Sequence, residues 1–445
     1  MSEQLAGLKN NEKGKGGVVV LLGFLLLINA LCAQAAVIIS ISGMIHTLGM
    51  QAVLGLFLAN SVLILGFTSY HRRLLESANR RKSLLGMLLL LAVLYALVRL
   101  AFTLSIPAWV AYALLFLTGQ QQFFIFPLVF WVMANDLFTS DQSKSIFPKI
   151  TAWNTGGLGL GLLAAALSPA FLSARGGRIE DFLLFNLLLT LLSFLLLFAG
   201  LRKNAAVSSV SSETPDQNIK QALEFIRDVP SFKLYLSAAM MLGAVNLIVE
   251  YHFLATAAAV YQGQAFFQVF YSYFNLGILL LTVLLQGFVI NALVKKMHAK
   301  VTFLFFPLAA GLAAVGMLLV PGLAAAASAF MLVLLSRDTI HQSGRKNMQA
   351  VIPKDKRSQI SRVFGSYAPA LGRVLGSMLV LLSLWFFGGD ALPYLALAVV
   401  FSLAALRYVF KMGKVYDSSM LSWRFERRKK REKTINTVLL DRISE

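Results

Sequence analysis

Read from the amino terminus, the chain alternates long apolar runs with short polar connections. A helix needs roughly 20 apolar residues to cross a hydrocarbon core about 30 Å thick. The runs predict helices over 17–41, 47–69, 83–104, 108–134, 151–173, 181–201, 232–260, 265–293, 300–320, 323–340, 361–387 and 391–411. The short alternating segments that build a membrane β-barrel are not seen. The expected fold class is therefore an all-α polytopic membrane protein with twelve transmembrane helices.

Composition agrees with the pattern. Hydrophobic residues make up 58% of the chain and charged residues 13%, where an average soluble chain holds about 25% charged residues. Mean hydropathy is +0.73. The first run, Gly17 to Ile41, is longer than a signal-peptide core of about 7–15 residues. Ala33-Gln34-Ala35 is a weak cleavage site, so the run is read as a retained span. Cys32 is the single cysteine, which excludes an intrachain disulfide and any cysteine-based metal cluster.

The net charge of +20 would raise nucleic acid as a partner in a soluble protein. Here the basic residues lie between apolar runs and follow the positive-inside rule instead, so no nucleic-acid partner is expected. One set of connections carries Lys9, Lys13 and Lys15; Arg72, Arg73, Arg80, Arg81 and Lys82; Lys144 and Lys149; Arg202, Lys203, Lys220 and Arg227; Lys295, Lys296 and Lys300; and a cluster from Arg337 to Arg362. The other set is almost bare, with only Arg175 and Arg178 breaking the alternation. Both termini are expected on the cytoplasmic side of the inner (plasma) membrane.

Organisation follows. Residues 1–16 are expected as a cytoplasmic N-terminus, 17–201 as a first six-helix bundle, and 202–231 as a cytoplasmic linker. Residues 232–411 form a second bundle and 412–445 a basic tail. The linker holds a short amphipathic segment from about Gln217 to Arg227. The halves share a glycine register: Gly157 and Gly161 in the fifth helix against Gly372 and Gly376 in the eleventh. Asn135-Asp136 and Arg337-Asp338 end the preceding helix in each half. Such similarity is the mark of duplicated transporters, and glycines four apart let helix backbones approach closely.

Ionisable side chains deep in a membrane are costly and therefore candidates for function. Arg373 lies about 18 Å into its helix at 1.5 Å per residue. Glu250 lies deep in the seventh helix beside Asn246 and His252. Its carboxylate could exchange a proton, bind a cation or pair with Arg373. Gln120, Gln121 and Gln122 point in three directions, so one faces a polar interior, and Asn29 and Gln34 are candidates for the same cavity. Arg99, near a helix end, is expected to snorkel to the surface. Asp136, Lys149, Arg337 and Asp338 are candidates for ion pairs that close the cytoplasmic mouth.

In the tail, Arg424, Arg427, Arg428, Lys429, Lys430, Arg431 and Lys433 form a cluster suited to anionic lipid, and Ile435 to Ile443 form an amphipathic segment that could dock to a protein partner. Phosphate loops, paired-histidine metal sites and dinucleotide turns are not found. Neither enzyme activity nor a cofactor is expected.

Twelve spans, a central linker and two related halves resemble the major facilitator superfamily. Gly66 and Arg80-Arg81-Lys82 match its second loop, while Arg73-Leu-Leu-Glu-Ser-Ala-Asn stands where that superfamily has Asp-Arg-x-Gly. Ala134-Asn135-Asp136-Leu137-Phe138, Gln142, Ile146-Phe147-Pro148 and the following glycines are similar to the non-mitochondrial ATP:ADP antiporters and their bacterial relatives. The resemblance implies a major-facilitator-like secondary carrier working by alternating access on an organic anion such as a nucleotide. It places Glu250 at that group's seventh-helix glutamate, although His252, Phe253 and Leu254 stand where the group has Trp-Lys. Arg373 would hold the anion and Glu250 would couple charge or a proton. A lipid or amphiphile carrier, and a non-transporting scaffold or sensor, are the alternatives.

Overall fold

The computed structural model describes residues 2–75, 80–104, 106–200, 219–297, 299–352 and 359–416. Most of the 202–231 linker and the basic cluster of the tail lie outside the described residues, as do the side chains of residues 2–15. Among the described residues every regular element is helical.

Ten helices are long and apolar enough to cross a membrane: Gly16–Leu48, Arg80–Thr103, Ala108–Leu137, Asp141–Ser173, Ile179–Gly200, Pro230–Val260, Gln264–Ile290, Leu323–Lys346, Gln359–Phe386 and Leu392–Tyr416. Two shorter apolar helices, Met50–Gly66 and Phe305–Leu319, stand where the second and ninth spans were expected. These twelve are numbered below as spans in chain order. The amphipathic segment before the seventh span forms a helix, Ile219–Asp228, and buries Ala222 and Ile226.

The main departure is the start of the fifth span. It begins at Ser140 rather than near 151, because Thr139 ends the preceding turn and its backbone N–H donates to Gln142 Oε1 at 3.3 Å. A side chain thus satisfies a backbone donor that the helix leaves open. The segment carrying Lys144 and Lys149 is consequently helix, not connection.

The spans are amphipathic in the sense opposite to a soluble helix. The sixth buries Leu183, Asn186, Thr190, Ser193 and Leu197, spaced three and four apart on one face. It exposes Leu184, Leu188 and Leu195 on the other. Polar groups seek partners inside the bundle while leucine meets lipid without cost.

The chain divides into two compact units, Met1–Thr214 with Tyr251–Leu281, and Pro215–Glu250 with Thr282–Glu445. In the first unit, the fifth span crosses the first at Gly157 and Gly161. A Cβ at Gly157 would overlap the Leu27 carbonyl, and one at Gly161 would lie 2.6 Å from the Leu31 carbonyl oxygen. In the second unit, the eleventh span crosses the seventh at Gly372 and Gly376. A Cβ at Gly372 would overlap the Met240 carbonyl, and one at Gly376 would lie 2.8 Å from that of Ala244. The shared glycine register therefore encodes one helix crossing built twice.

Candidate functional site

In the second unit, the eleventh span carries Arg373 to the seventh. Its Nη1 lies 2.9 Å from Glu250 Oε2, with the two side chains 23% and 14% exposed. The two groups lie deep in their helices, yet neither is sealed from solvent. Asn246, one helical turn before Glu250, accepts from Arg337 Nη1 at 3.2 Å. Arg337 in turn forks onto Asp338, with Nε–Oδ1 at 2.7 Å and Nη2–Oδ2 at 2.8 Å. Bidentate arginine–carboxylate geometry of this kind is among the stronger charge-assisted contacts.

Local backbone explains how Arg337 and Asp338 are presented. Arg337–His341 is a π-helical turn at the end of the tenth span. A wide turn of this kind interrupts the regular hydrogen-bond ladder and is frequent at functional positions. The Asp338 carbonyl takes its bond from Gln286 Nε2 at 2.9 Å. Gln286 belongs to a second π-helical segment, Leu285–Ile290. A third, Val363–Tyr367, precedes Arg373.

Arg345 sits with Nη1 at 3.7 Å from the point where a Cβ on Gly365 would lie, and its buried Nε has no hydrogen-bond partner among the described residues. His341 is buried. Its Nε2 lies 3.2 Å from the Tyr235 hydroxyl, and the rings of Phe303 and Phe306 pack against it.

In the first unit the candidates separate. Of the three adjacent glutamines, Gln122 turns inward: its Oε1 accepts from the Tyr95 hydroxyl at 2.6 Å and its amide donates to the Asn29 carbonyl at 3.3 Å. Gln121 reaches Asn60 Oδ1 at 3.0 Å, and Gln120 is half-buried. Asn29 is 3% exposed and sits inside the helix packing. Gln34 is half-buried, its Cβ packed beside Gly161. His252 is also half-buried.

The candidates for gating ion pairs find their partners within their own units. Asp136 is held by Arg80 at the start of the third span, and Asp338 by Arg337. Lys149 is exposed. Arg99 does not snorkel. It pairs with Asp181 at 2.6 Å, because the short helical turn Ile179–Asp181 places that carboxylate against the third span.

A second polar cluster, not anticipated from the residues, lies in the first unit. Gln268 of the eighth span is fully buried. Its amide donates to the Ala165 carbonyl at 2.7 Å and to Ser168 Oγ at 2.9 Å, and its Oε1 accepts from Ser42 at 3.2 Å. One turn earlier, Gln264 donates to the Tyr112 hydroxyl at 3.1 Å, and that hydroxyl donates to Glu180 at 2.5 Å. The signal in the sequence was Pro169, which lacks the N–H that would otherwise bond the Ala165 carbonyl. Among the described residues no group of three His, Cys, Asp or Glu side chains could hold a metal.

No protein-family model matches the sequence, and no curated protein matches it. Solved structures do. The nucleoside transporter NupG aligns with TM-score 0.62 at 12% identity over 88% of this chain and 98% of its own. The POT family transporter PepTSo gives 0.62 at 11% identity over 90% and 98%. A bacterial homologue of the human lysosomal transporter Spinster gives 0.62 at 13% over 91% and 98%. The fold is all-helical and major-facilitator-like. The chain is thus a multi-pass membrane protein with a major-facilitator-like fold.

Proposed function

We propose that this protein is a secondary carrier that moves an organic anion by alternating access. The observation that carries the reading is the Arg373–Glu250 pair, set in the second unit beside Asn246, Arg337 and Asp338. An arginine held by a carboxylate can exchange that partner for a competing anion, which gives ligand binding a way to shift a conformational equilibrium. Arg337, Arg345 and Arg373 outnumber Glu250 and Asp338 in this cluster by one, which favours a negatively charged solute.

Structures sharing the fold are described as a nucleoside transporter, a peptide transporter and a bacterial homologue of the iron transporter ferroportin. Their range supports transport while leaving the substrate class to the site. The Ala134–Phe138 motif and its successors favour a nucleotide. In this reading Glu250 couples charge or a proton, and antiport is the expected mode. The inner-membrane location, cytoplasmic termini, linker and basic tail complete the proposal. The tail would engage anionic lipid or a protein partner.

The test is uptake of labelled ADP, ATP and simple organic anions into proteoliposomes, alongside thermal unfolding of the detergent-purified protein with the same ligands. A bound ligand raises the unfolding temperature by mass action. Stabilisation by a nucleotide in the wild type and not in Arg373→Ala supports the reading. Stabilisation by a lipid alone, with no anion taken up, overturns it in favour of an amphiphile carrier.

A further inference from the structure

The first unit holds a cavity of about 880 Å³ between the end of the fifth span and the start of the eighth. Pro169, Gly177, Ile179, Tyr261, Phe270 and Phe274 are among its walls. The lining is overwhelmingly apolar and aromatic. It runs from the connection after the fifth span to Phe274, ten residues into the eighth, a depth of roughly 15 Å along a helix. Phe266, another of its walls, is 71% exposed, so the cavity reaches the surface of an apolar helix.

The connection at its mouth carries the two residues that break the charge alternation, Arg175 and Arg178. Both are exposed. Arg178 lies between two cavity-lining residues, Gly177 and Ile179. The Arg175 guanidinium lies 3.7 Å over the Phe171 ring, a cation–π contact that holds the charge at the apolar edge. The nearby acids are already engaged, Asp181 by Arg99 and Glu180 by the Tyr112 hydroxyl. Three arginines against two carboxylates leave the mouth positive. Positive charge on this side works against the topology rule, so the two arginines do not serve to orient the chain.

We infer that this groove binds an anionic phospholipid from the leaflet opposite the basic connections. Its acyl chain lies along Tyr261, Phe270 and Phe274, and its phosphate meets Arg175 and Arg178. Apolar walls below paired guanidinium groups match a molecule with an apolar tail and a phosphate head. The inference is independent of the anion-carrier reading.

Photoactivatable phospholipids with a diazirine in the acyl chain test it on the full-length protein in mixed micelles. Phosphatidylglycerol is expected to label the 169–179 and 261–274 peptides at least fivefold more than phosphatidylcholine of the same chain. The Arg175→Gln/Arg178→Gln variant should reduce phosphatidylglycerol labelling to the phosphatidylcholine level. Ala265→Trp, which fills the groove, should lower labelling by both lipids. Equal labelling by the two headgroups, labelling unchanged in the arginine variant, or labelling confined to other segments would each overturn the inference. The basic tail remains in every arm, so its own affinity for anionic lipid cancels between wild type and variant.

Discussion

The side-chain amide of Gln268 donates to the main-chain carbonyl of Ala165 at 2.7 Å. That carbonyl is open because Pro169, one turn later in the same helix, has no N–H to give it. The Ser168 hydroxyl shares it at 3.1 Å. A proline in the fifth span and a glutamine in the eighth are thus two halves of one feature. Inside a bilayer an unmet carbonyl costs several kcal/mol, which gives the pairing its physical reason.

This relationship predicts a coupled pair. Gln268→Leu should lower stability by about 1–2 kcal/mol, the net value of a buried hydrogen bond with some loss of fit. Pro169→Ala supplies an N–H for the Ala165 carbonyl. Gln268→Leu should therefore cost less in the Pro169→Ala background. Thermal unfolding of the four proteins in one detergent reads the cycle, and strictly additive effects would refute the coupling.

The glycine crossing predicts a sharp contrast between neighbours. A Cβ at Gly157 would collide with the Leu27 backbone, whereas one at Gly156 meets nothing within 4 Å. Gly157→Ala should destabilise by about 1–3 kcal/mol through overpacking. Gly156→Ala should be neutral or add up to about 1 kcal/mol through helix propensity. Gly372→Ala should behave like Gly157→Ala, because a Cβ there would meet the Met240 carbonyl. Equal unfolding temperatures for the two adjacent variants would contradict the crossing.

Removing one member of the Arg373–Glu250 pair leaves the other charge half-enclosed. Arg373→Ala should cost about 3 kcal/mol, near the low end for breaking a buried pair because both groups keep some solvent. Adding Glu250→Gln should recover most of that loss, whereas the proposed carrier role of Arg373 requires uptake to remain absent. Chemical-denaturant unfolding and proteoliposome uptake, measured on the same preparations, separate the structural from the functional contribution.

Tyr95 is wholly buried and bonds Gln122 at 2.6 Å. Tyr95→Phe removes the donor and leaves Gln122 Oε1 unmet, an expected loss of about 1–3 kcal/mol. Tyr273, 49% exposed, is the control. Tyr273→Phe should change stability by less than about 0.5 kcal/mol. Unfolding temperatures for the two tyrosine variants that coincide would rule out the Tyr95–Gln122 network as a stabilising element.

Much of the architecture was legible along the chain because a membrane span is a local property. Hydropathy summed over about 20 residues is decided by those residues alone, and twelve runs became twelve apolar helices. The glycine register was legible for the same reason, since only small residues permit backbones to touch. Capping was less visible. The fifth span gained a polar first turn from Thr139 and Gln142, against its low hydropathy.

Which polar groups meet was left to tertiary structure. Arg373 and Glu250 lie 123 positions apart, and their pairing depends on how the seventh and eleventh spans are rotated at the Gly372 crossing. Three adjacent glutamines share one local context, yet only Gln122 faces Tyr95, because helix rotation gives each a different neighbour. Arg99 reads as a residue free to snorkel until the turn at Ile179–Asp181 brings a carboxylate to it. Helix existence follows from the free energy of moving a continuous segment out of water. Helix partnership follows from side-chain fit at crossings, and residues far apart in the chain decide it together.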